Sequence, residues 1–243
     1  MRSATDLARL ERIGYDVWRA PVVEELAGWR LRYAHGLTSR ANSAWTAADD
    51  GSLALDEKVE RAEGFYRSNG LAPRFQLTDA SRPVELEALL ERRGYTQPAP
   101  AVSVETAELG EVADPGGVDV REDLDDGWLA LWAGSREFDD LGVARTLLTG
   151  SPGRTAFARI DDVAVGRAVV VDGWLGITSM ATLPAARRRG HARGMLEALV
   201  AWGRTHGATH GLLQVDETND PARALYAQFG FRASHAYRYL VAP

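Results

Sequence analysis

The 243-residue chain contains no cysteine and a single lysine, Lys58. Without cysteine it has no disulfides, thiolate metal sites, iron–sulfur clusters or cysteine nucleophile. No run approaches the roughly 20 apolar residues of a membrane helix, and the first residues lack the apolar segment of a signal peptide. The histidines show no metal-ligand spacing. We therefore expect a cytoplasmic protein with no membrane partner and no metal.

Acidic residues outnumber basic residues, and the formal net charge is −6. A nucleic-acid-binding protein is usually basic, so we expect no nucleic-acid partner. The acidic excess lies in residues 119–140, which hold eight acidic residues against Arg121 and Arg136. We favour a solvated helix face for this segment, and the alternative is a surface that attracts cationic substrates.

A weak internal repeat divides the chain into two halves. Residues 59–95 and 195–231 each predict a helix, a glycine, a short strand with a glutamine, a second helix that begins at a proline, and a glycine followed by an aromatic residue. Residues 107–117 are poor in large apolar side chains and include Pro-Gly-Gly, which is typical of a linker. The predicted domains are residues 1–106 and 118–243, with residues 107–117 between them.

Local patterns predict a mixed, mostly antiparallel sheet flanked by helices, an α+β fold. Alternation and turn residues predict three successive strands over residues 153–160, 163–171 and 173–183. Helices are expected over residues 128–138, 141–150 and 195–207. Another helix would begin with Asp220 as N-cap and Pro221 at its first helical position, and would end with Gly230 at the C′ position.

The chemistry is indicated by PAARRRGHARGML, residues 184–196, which follows an apolar strand and opens a helix. Gly190 and Ala192 are small, so a ligand can approach the backbone there. A helix N-terminus offers unpaired N–H groups and a partial positive charge, and arginines surround this one. The segment predicts an anion site that suits a pyrophosphate. The alternative is a basic helix start that faces solvent.

Two motifs resemble a known family. Pro184-x-x-Arg187-x-x-Gly190-x-Ala192 resembles the first signature of the GCN5-related N-acetyltransferases (GNAT). Residues 211–231, with Asn219, Leu225-Tyr226 and Gly230-Phe231, resemble the second signature. The likeness covers residues 118–243 and implies the GNAT fold. With the internal repeat it implies two tandem GNAT-like domains, of which residues 1–106 form a degenerate copy that does not bind acetyl-CoA.

The resemblance implies that acetyl-CoA lies in a V-shaped cleft between the strand ending near Thr182 and strand 211–216. Backbone groups of the strand would pair with the pantetheine arm, the loop would hold the pyrophosphate, and two further side chains would contact the CoA arm and thioester. The implied cofactor-binding residues are Met180, Ala181, Thr182, Arg187, Arg188, Arg189, Gly190, His191, Ala192, Arg193, Asn219 and Tyr226. In the first half, Leu90 stands where the second has Tyr226.

The chemistry of a thioester and the absence of cysteine favour direct attack of an amine on the thioester. Tyr226 would protonate the departing thiolate, although it is alternatively a packed core aromatic. Ser179 and Met180 stand where many family members place a glutamate base, so the base is open. Asp216 and Glu217 are candidates at the strand end, and Glu137 and Asp139 are candidates in the preceding helical region.

The predicted function is transfer of an acetyl group from acetyl-CoA to a primary amine of a small, cationic molecule. The alternatives are a protein N-terminal or lysine acetyltransferase and a non-catalytic acyl-CoA-binding module. We expect a monomer or homodimer. Arg40, Asn42, Ser43 and Trp45 form a polar and aromatic cluster in the first half. We favour turn residues and a buried Trp for this cluster over substrate contact.

Overall fold

A computed structural model of the chain describes residues 4–113, 115–134 and 140–243. The described residues alternate between helices and strands along the chain. The elements in order are α1 (Ala4–Val17), β1 (Val22–Leu26), β2 (Trp29–Tyr33), β3 (Ala44–Trp45), α2 (Leu55–Ser68), β4 (Arg74–Leu77), α3 (Leu86–Arg92), β5 (Val102–Glu108), β6 (Asp119–Arg121), α4 (Asp126–Gly134), α5 (Leu141–Thr149), β7 (Arg154–Ile160), β8 (Ala164–Val171), β9 (Trp174–Thr182), α6 (His191–Thr205), β10 (His210–Asp216), α7 (Asp220–Gln228) and β11 (Arg232–Val241).

All of these strands belong to one sheet, in the order β1-β2-β3-β4-β11-β5-β10-β9-β8-β7-β6. The β3–β4 and β9–β10 pairs are parallel, and the other neighbours are antiparallel. The predicted α+β class and the β7–β8–β9 meander are confirmed. In the described residues, no helix is both long and apolar enough to cross a membrane.

The two halves share this sheet. β11, from the end of the chain, lies between β4 of the first half and β5. β5 in turn pairs with β10 along its whole length. Residues 107 and 108, which the sequence analysis assigns to the linker, are the end of β5, where they pair with Gly211 and His210 of β10. The alternation of Val102 and Val104 with polar residues marks this strand in the sequence.

One predicted helix cap is wrong. The N-cap of α7 is Asn219 rather than Asp220, and its Oδ1 accepts a hydrogen bond from the Ala222 amide at 3.3 Å. Helix α7 begins at Asp220, which places Pro221 at the second position of the first turn. Gly230 follows the C-cap with φ +82°, the left-handed conformation that favours glycine at C′, so that prediction is confirmed.

The sheet is covered on both faces. On one face, apolar residues of α6 and α7, among them Leu199 and Tyr226, pack on β9 and β10. On the other face, Leu10, Ile13 and Val17 of α1 pack on β5, β8 and β10. Val17 lies directly over Gly176 of β9, where a Cβ would collide with its methyl groups. Helix α1 therefore approaches the sheet closely near the point where β9 and β10 separate.

Candidate active site

The cleft forms where two parallel strands separate. β9 and β10 are paired from Trp174 and His210 to Ile177 and Leu213, and no pairing follows. β9 then continues to Thr182 and β10 to Asp216. The backbone edge of residues 178–182 that faces β10 is therefore left open, while the other edge stays paired with β8.

A β-bulge turns β9 at this point. In the β8–β9 register, Arg167 faces Thr178 and Val165 faces Ala181, so Ser179 and Met180 together oppose Gly166. Ser179 has φ +57°, an uncommon value for a residue other than glycine. A bulge bends its strand and increases the local twist, which accounts for the divergence of β9 from β10.

A cavity of about 1000 Å³ lies between the end of β9, the start of α6 and α7. Its lining includes eight of the residues expected from the sequence, namely Met180, Ala181, Thr182, Arg187, Arg188, Ala192, Asn219 and Tyr226. A neighbouring cavity of about 370 Å³ adds Gly190, His191 and Arg193. Arg189 is exposed and lines neither cavity.

The loop before α6 presents free amides to these cavities. Gly190 is the N-cap with φ +84°, and no side chain caps the first turn. The first backbone bond of the helix runs from the Gly194 amide to the Gly190 carbonyl at 3.0 Å. The amides of the first turn and the positive end of the helix dipole therefore stay available to an anion.

The arginine side chains of this loop differ in their surroundings. Arg193 donates to Gln228 and lies over the ring of Phe229, whose centroid lies 5.6 Å from the guanidinium carbon. Arg187 donates from Nε to the Thr182 carbonyl at 3.3 Å, which ties the loop to the end of β9. Arg188 adopts φ +65° and its exposed side chain borders both cavities.

Tyr226 is buried in the wall of the larger cavity, 9% exposed. Its hydroxyl forms no hydrogen bond with a described residue, and its ring meets Phe231 edge-on at 6.2 Å. Burial, and then the negative charge of Glu105, raise the pKa of Tyr226 to about 12. The phenol therefore keeps its proton at neutral pH.

Glu105 was not found by the sequence analysis. It lies on β5 with its side chain 4% exposed, 3.2 Å from the Arg223 guanidinium of α7. A charged residue within the alternating segment 102–108 is the signal that was available in the sequence. Because β5 joins the site only through long-range pairing, that signal could not be connected to Tyr226.

The carboxylates proposed as bases differ from one another. Asp216 accepts from the Thr218 hydroxyl at 2.6 Å and the Thr218 amide at 2.8 Å, and these bonds lower the pKa of Asp216. Glu217 is exposed, and neither residue lines the two cavities. Glu137 and Asp139 lie outside the described residues. A lowered pKa makes Asp216 a weaker proton acceptor.

The first part of the acidic segment, residues 119–126, lies at the far edge of the sheet, on and after β6. Its described carboxylates pair with arginines in four places, listed as Asp119–Arg121, Glu122–Arg154, Asp125–Arg159 and Asp126–Arg145. None of these acidic residues lines the cleft. The paired arginines therefore compensate most of the negative charge of these four carboxylates.

The residues of the polar and aromatic cluster in the first half have different surroundings in the structure. Asn42 Oδ1 accepts from the amides of Ala34 and Gly36, and Ser43 accepts from Arg32, so both side chains hold the backbone of this half. Trp45 is buried. These three residues fit the favoured interpretation of turn residues and a buried Trp, whereas Arg40 has different surroundings, described below.

Comparisons with known proteins agree with this geometry. The family model described as "Probable histone acetyltransferase Rv0428c C-terminal" matches residues 4–240. The chain is 32% identical to the probable histone acetyltransferase Rv0428c of Mycobacterium tuberculosis over 246 residues, 96% of this chain and 73% of that protein. It is 28% identical to the uncharacterized N-acetyltransferase YobR of Bacillus subtilis, over 96% of this chain and 98% of that protein.

A solved structure shows the same fold. A GCN5-related N-acetyltransferase from Kribbella flavida superposes with a TM-score of 0.64 and 18% identity, covering 100% of this chain and 96% of that one. The sheet, the split strands and the uncapped loop thus define an acyltransferase of the GNAT superfamily. The chain belongs to the family described by the C-terminal region of Rv0428c, and it is a GNAT-type N-acetyltransferase.

Proposed function

We propose that the chain transfers an acetyl group from acetyl-CoA to a primary amine of a small molecule by direct attack. The observation that carries this proposal is the meeting, in one cleft, of an open strand edge at residues 178–182 with the uncapped start of α6. The strand edge suits the amide groups of a pantetheine arm, and the helix start suits a pyrophosphate.

In this proposal the cofactor is held mainly by backbone. Met180, Ala181 and Thr182 pair with pantetheine, and the amides from Arg188 to Arg193 bind the pyrophosphate. The exposed Arg187, Arg188 and Arg189 add positive charge around the phosphates. Asn219 acts through its position at the cavity wall, because its side-chain oxygen already caps α7.

The reaction removes two protons from an ammonium acceptor and adds one to sulfur. An amine with a pKa near 10.4 is neutral in only about one molecule in a few thousand at pH 7, so it must lose the first proton before attack. The amine nitrogen then forms a bond to the thioester carbonyl carbon and releases its second proton. The C–S bond breaks, and the Tyr226 hydroxyl donates a proton to the thiolate and regains one from solvent. The absence of cysteine agrees with transfer without an acetyl-enzyme.

The general base is a carboxylate that accepts the proton of the amine through a water molecule. Asp216 is committed to Thr218, and Glu217 is exposed at the end of β10, outside the two cavities. Of these two candidates, Glu217 is the freer to accept a proton through a water molecule. A Glu217→Gln variant tests this role by its effect on kcat at neutral pH.

We also propose that the chain is a tandem of two GNAT-like units. The repeat of helix, strand and helix in residues 59–95 and 195–231 supports this division, and the structure gives α2–β4–α3 and α6–β10–α7 in those places. The first unit lacks a glycine-rich arginine loop before its helix, and the buried Leu90 replaces Tyr226. One cofactor per chain follows from this proposal.

A protein lysine is the second candidate acceptor, because a relative is described as a probable histone acetyltransferase. Labelled acetyl-CoA incubated with cell extract separates the two, since protein label favours this candidate. The enzyme itself contributes no label at surface lysines. Its only lysine, Lys58, is fully buried, with Nζ 2.6 Å from Asp49 and from the Ala27 carbonyl.

Calorimetric titration with acetyl-CoA, with CoA alongside, tests the proposal. We expect micromolar binding at one site per chain, followed by thiol release when amines are supplied. Two sites would overturn the reading of the first half as degenerate. An absence of binding, or binding without thiol release for any small amine or lysine peptide, would contradict the proposed enzyme.

A further inference from the structure

A buried guanidinium lies on the sheet face that α1 covers. Arg167 of β8 is fully buried and donates to the carbonyls of Leu148 and Val17 at 2.8 and 3.0 Å. It also donates to the Ser151 and Thr178 hydroxyls at 2.8 and 3.3 Å. All four partners are neutral, and no described carboxylate forms an ion pair with it.

A second guanidinium lies nearby. Arg40, in the loop between β2 and β3, places its guanidinium carbon 5.3 Å from the ring centroid of Trp18, and that of Arg167 lies 5.6 Å from the same centroid. The Arg40 Nε is buried without a hydrogen-bond partner, and no ion pair with a described residue engages this side chain. Burial, and then the charge of Arg40, lower the pKa of Arg167 to about 9.

Arg167 reaches the split between β9 and β10. Arg167 contacts Thr178, and the next residue is Ser179 in the bulge, whose Oγ is also buried without a partner. On the β10 side, Gln214 accepts from the Tyr237 hydroxyl at 3.3 Å. The face of the split opposite α6 is therefore polar, and Arg167 and Arg40 carry positive charge there that no described carboxylate pairs with.

We propose that the acceptor is an amine that also carries an anionic group, held by the Arg40 guanidinium, with its amine directed to the split beside Ser179. A carboxylate is the favoured anion, since its two oxygens match the planar donors of arginine. This inference rests on the proposed function and specifies its substrate. It also differs from the cationic acceptor that the acidic segment had led us to expect.

The physical reason is that two guanidinium groups lie beside Trp18 and no described carboxylate pairs with either of them. Arg167 is fully buried and Arg40 is partly exposed. A bound carboxylate would supply the missing negative charge beside Arg40. A cationic acceptor would meet two positive charges instead. Selectivity between these acceptors therefore follows from the sign of the potential on this face.

The test compares matched acceptors by thiol release at saturating acetyl-CoA. L-phenylalanine, L-leucine and β-alanine are each paired with their carboxamide, and 2-aminoethyl phosphate is paired with ethanolamine. We expect kcat/KM for the anionic member of at least one pair to be about tenfold higher or more, as for a charge-assisted hydrogen bond. The phosphate pair distinguishes carboxylate from phosphate as the anion. The carboxamide amine is the less basic, so the comparison is biased against the proposal.

The variant Arg40→Gln is expected to abolish this preference while the acetyl-CoA Kd stays unchanged. Arg9→Gln is the matched control, because Arg9 is an exposed arginine on α1. If Arg40→Gln unfolds, Arg40→Lys keeps the charge and loses the planar donors, and a partial loss of preference is expected. An equal or better rate with carboxamides, spermidine or lysine peptides would overturn the proposal.

A second measurement covers the case in which no amine turns over. Thermal unfolding is followed with N-acetyl-L-phenylalanine and with its carboxamide, in the wild type and in Arg40→Gln. Stabilisation by the carboxylate alone, lost in Arg40→Gln, supports the anion site even if the proposed transfer fails. Equal shifts with both compounds would reject the anion site, whatever the enzyme does with acetyl-CoA.

Discussion

Glu11 on the first helix and His235 on the last strand lie 2.7 Å apart, from Oε1 to Nε2, with both side chains buried. The second carboxylate oxygen of Glu11 accepts from Gln76 Nε2 at 3.2 Å, and Gln76 accepts from Arg32 at 2.7 Å. These bonds tie α1 to β11, β4 and β2. These bonds hold α1 on the face of the sheet near which Arg40 and Arg167 lie.

We expect Glu11→Ala to lower the free energy of unfolding by about 2–4 kcal/mol, because His235 and Gln76 lose a buried acceptor. Urea unfolding followed by circular dichroism measures the change. Glu57→Ala is the control, since Glu57 forms an exposed pair with Arg61 at 2.6 Å and should cost at most about 1 kcal/mol. Additive costs in the Glu11→Ala and His235→Ala double variant would show that the two side chains are not coupled.

Tyr226→Phe tests the proposed acid. The ring and its contact with Phe231 remain, so the acetyl-CoA Kd should stay nearly unchanged, while kcat falls roughly 100-fold. Calorimetry and thiol release measure the two quantities. An unchanged kcat would remove Tyr226 from the mechanism and leave it as a core aromatic.

The same residue predicts a pH dependence of stability. The pKa of Tyr226 is about 12 in the folded chain and near 10 when unfolded. The neutral phenol therefore contributes stability that is fully present below pH 10 and is lost as pH rises through 12. Between pH 8 and pH 11 the wild type should lose about 1 kcal/mol more than Tyr226→Phe in urea unfolding. Parallel losses in the two proteins would mean that the phenol is not buried from solvent.

Gly190→Ala tests the anion site at the start of α6. Gly190 and Gly207 stand at opposite ends of this helix with φ +84° and +86°, and a Cβ would meet no atom within 4 Å at either position. Each substitution should therefore lower the free energy of unfolding by about 1–2 kcal/mol. Only Gly190→Ala should weaken acetyl-CoA binding, by roughly tenfold, because a methyl group there keeps phosphate from the backbone. Equal affinities in the two variants would contradict the placement of the pyrophosphate.

The sequence predicted those parts of the molecule that local patterns determine. The β7–β8–β9 meander and the start of α6 follow from alternation, turn residues and the small residues near Gly190. The cap of α7 was misassigned by one residue, because Asn219 and Asp220 are both good caps and only the geometry decides between them. The motif also predicted Tyr226, which lines the larger cavity, and its catalytic role stays a prediction.

Contacts between distant segments were not predictable in this way. β5 enters the sheet between β10 and β11, so Glu105 reaches α7 only after folding. Arg40 and Arg167 are 127 positions apart and meet at Trp18, and neither has a local pattern that marks it. The positive charge that these two arginines bring together could therefore not be predicted from the sequence.

The close approach of α1 to the sheet gives the last prediction. A Cβ on Gly176 would collide with Val17 and would lie 2.6 Å from its Cγ1. Gly176→Ala should therefore displace α1 and lower the free energy of unfolding by about 1–3 kcal/mol. Val17 also offers its carbonyl to Arg167, so the displacement should raise KM for the acceptor more than it changes the acetyl-CoA Kd.

Adding Val17→Ala to Gly176→Ala should recover part of the lost stability, because it removes the methyl groups that collide with the new Cβ. Gly64→Ala is the control for the substitution itself. Gly64 is exposed within α2 with no atom near its Cβ position, so alanine there should stabilise the chain by up to about 1 kcal/mol. A double variant no more stable than Gly176→Ala would mean that the loss arises in the strand and not from contact with α1.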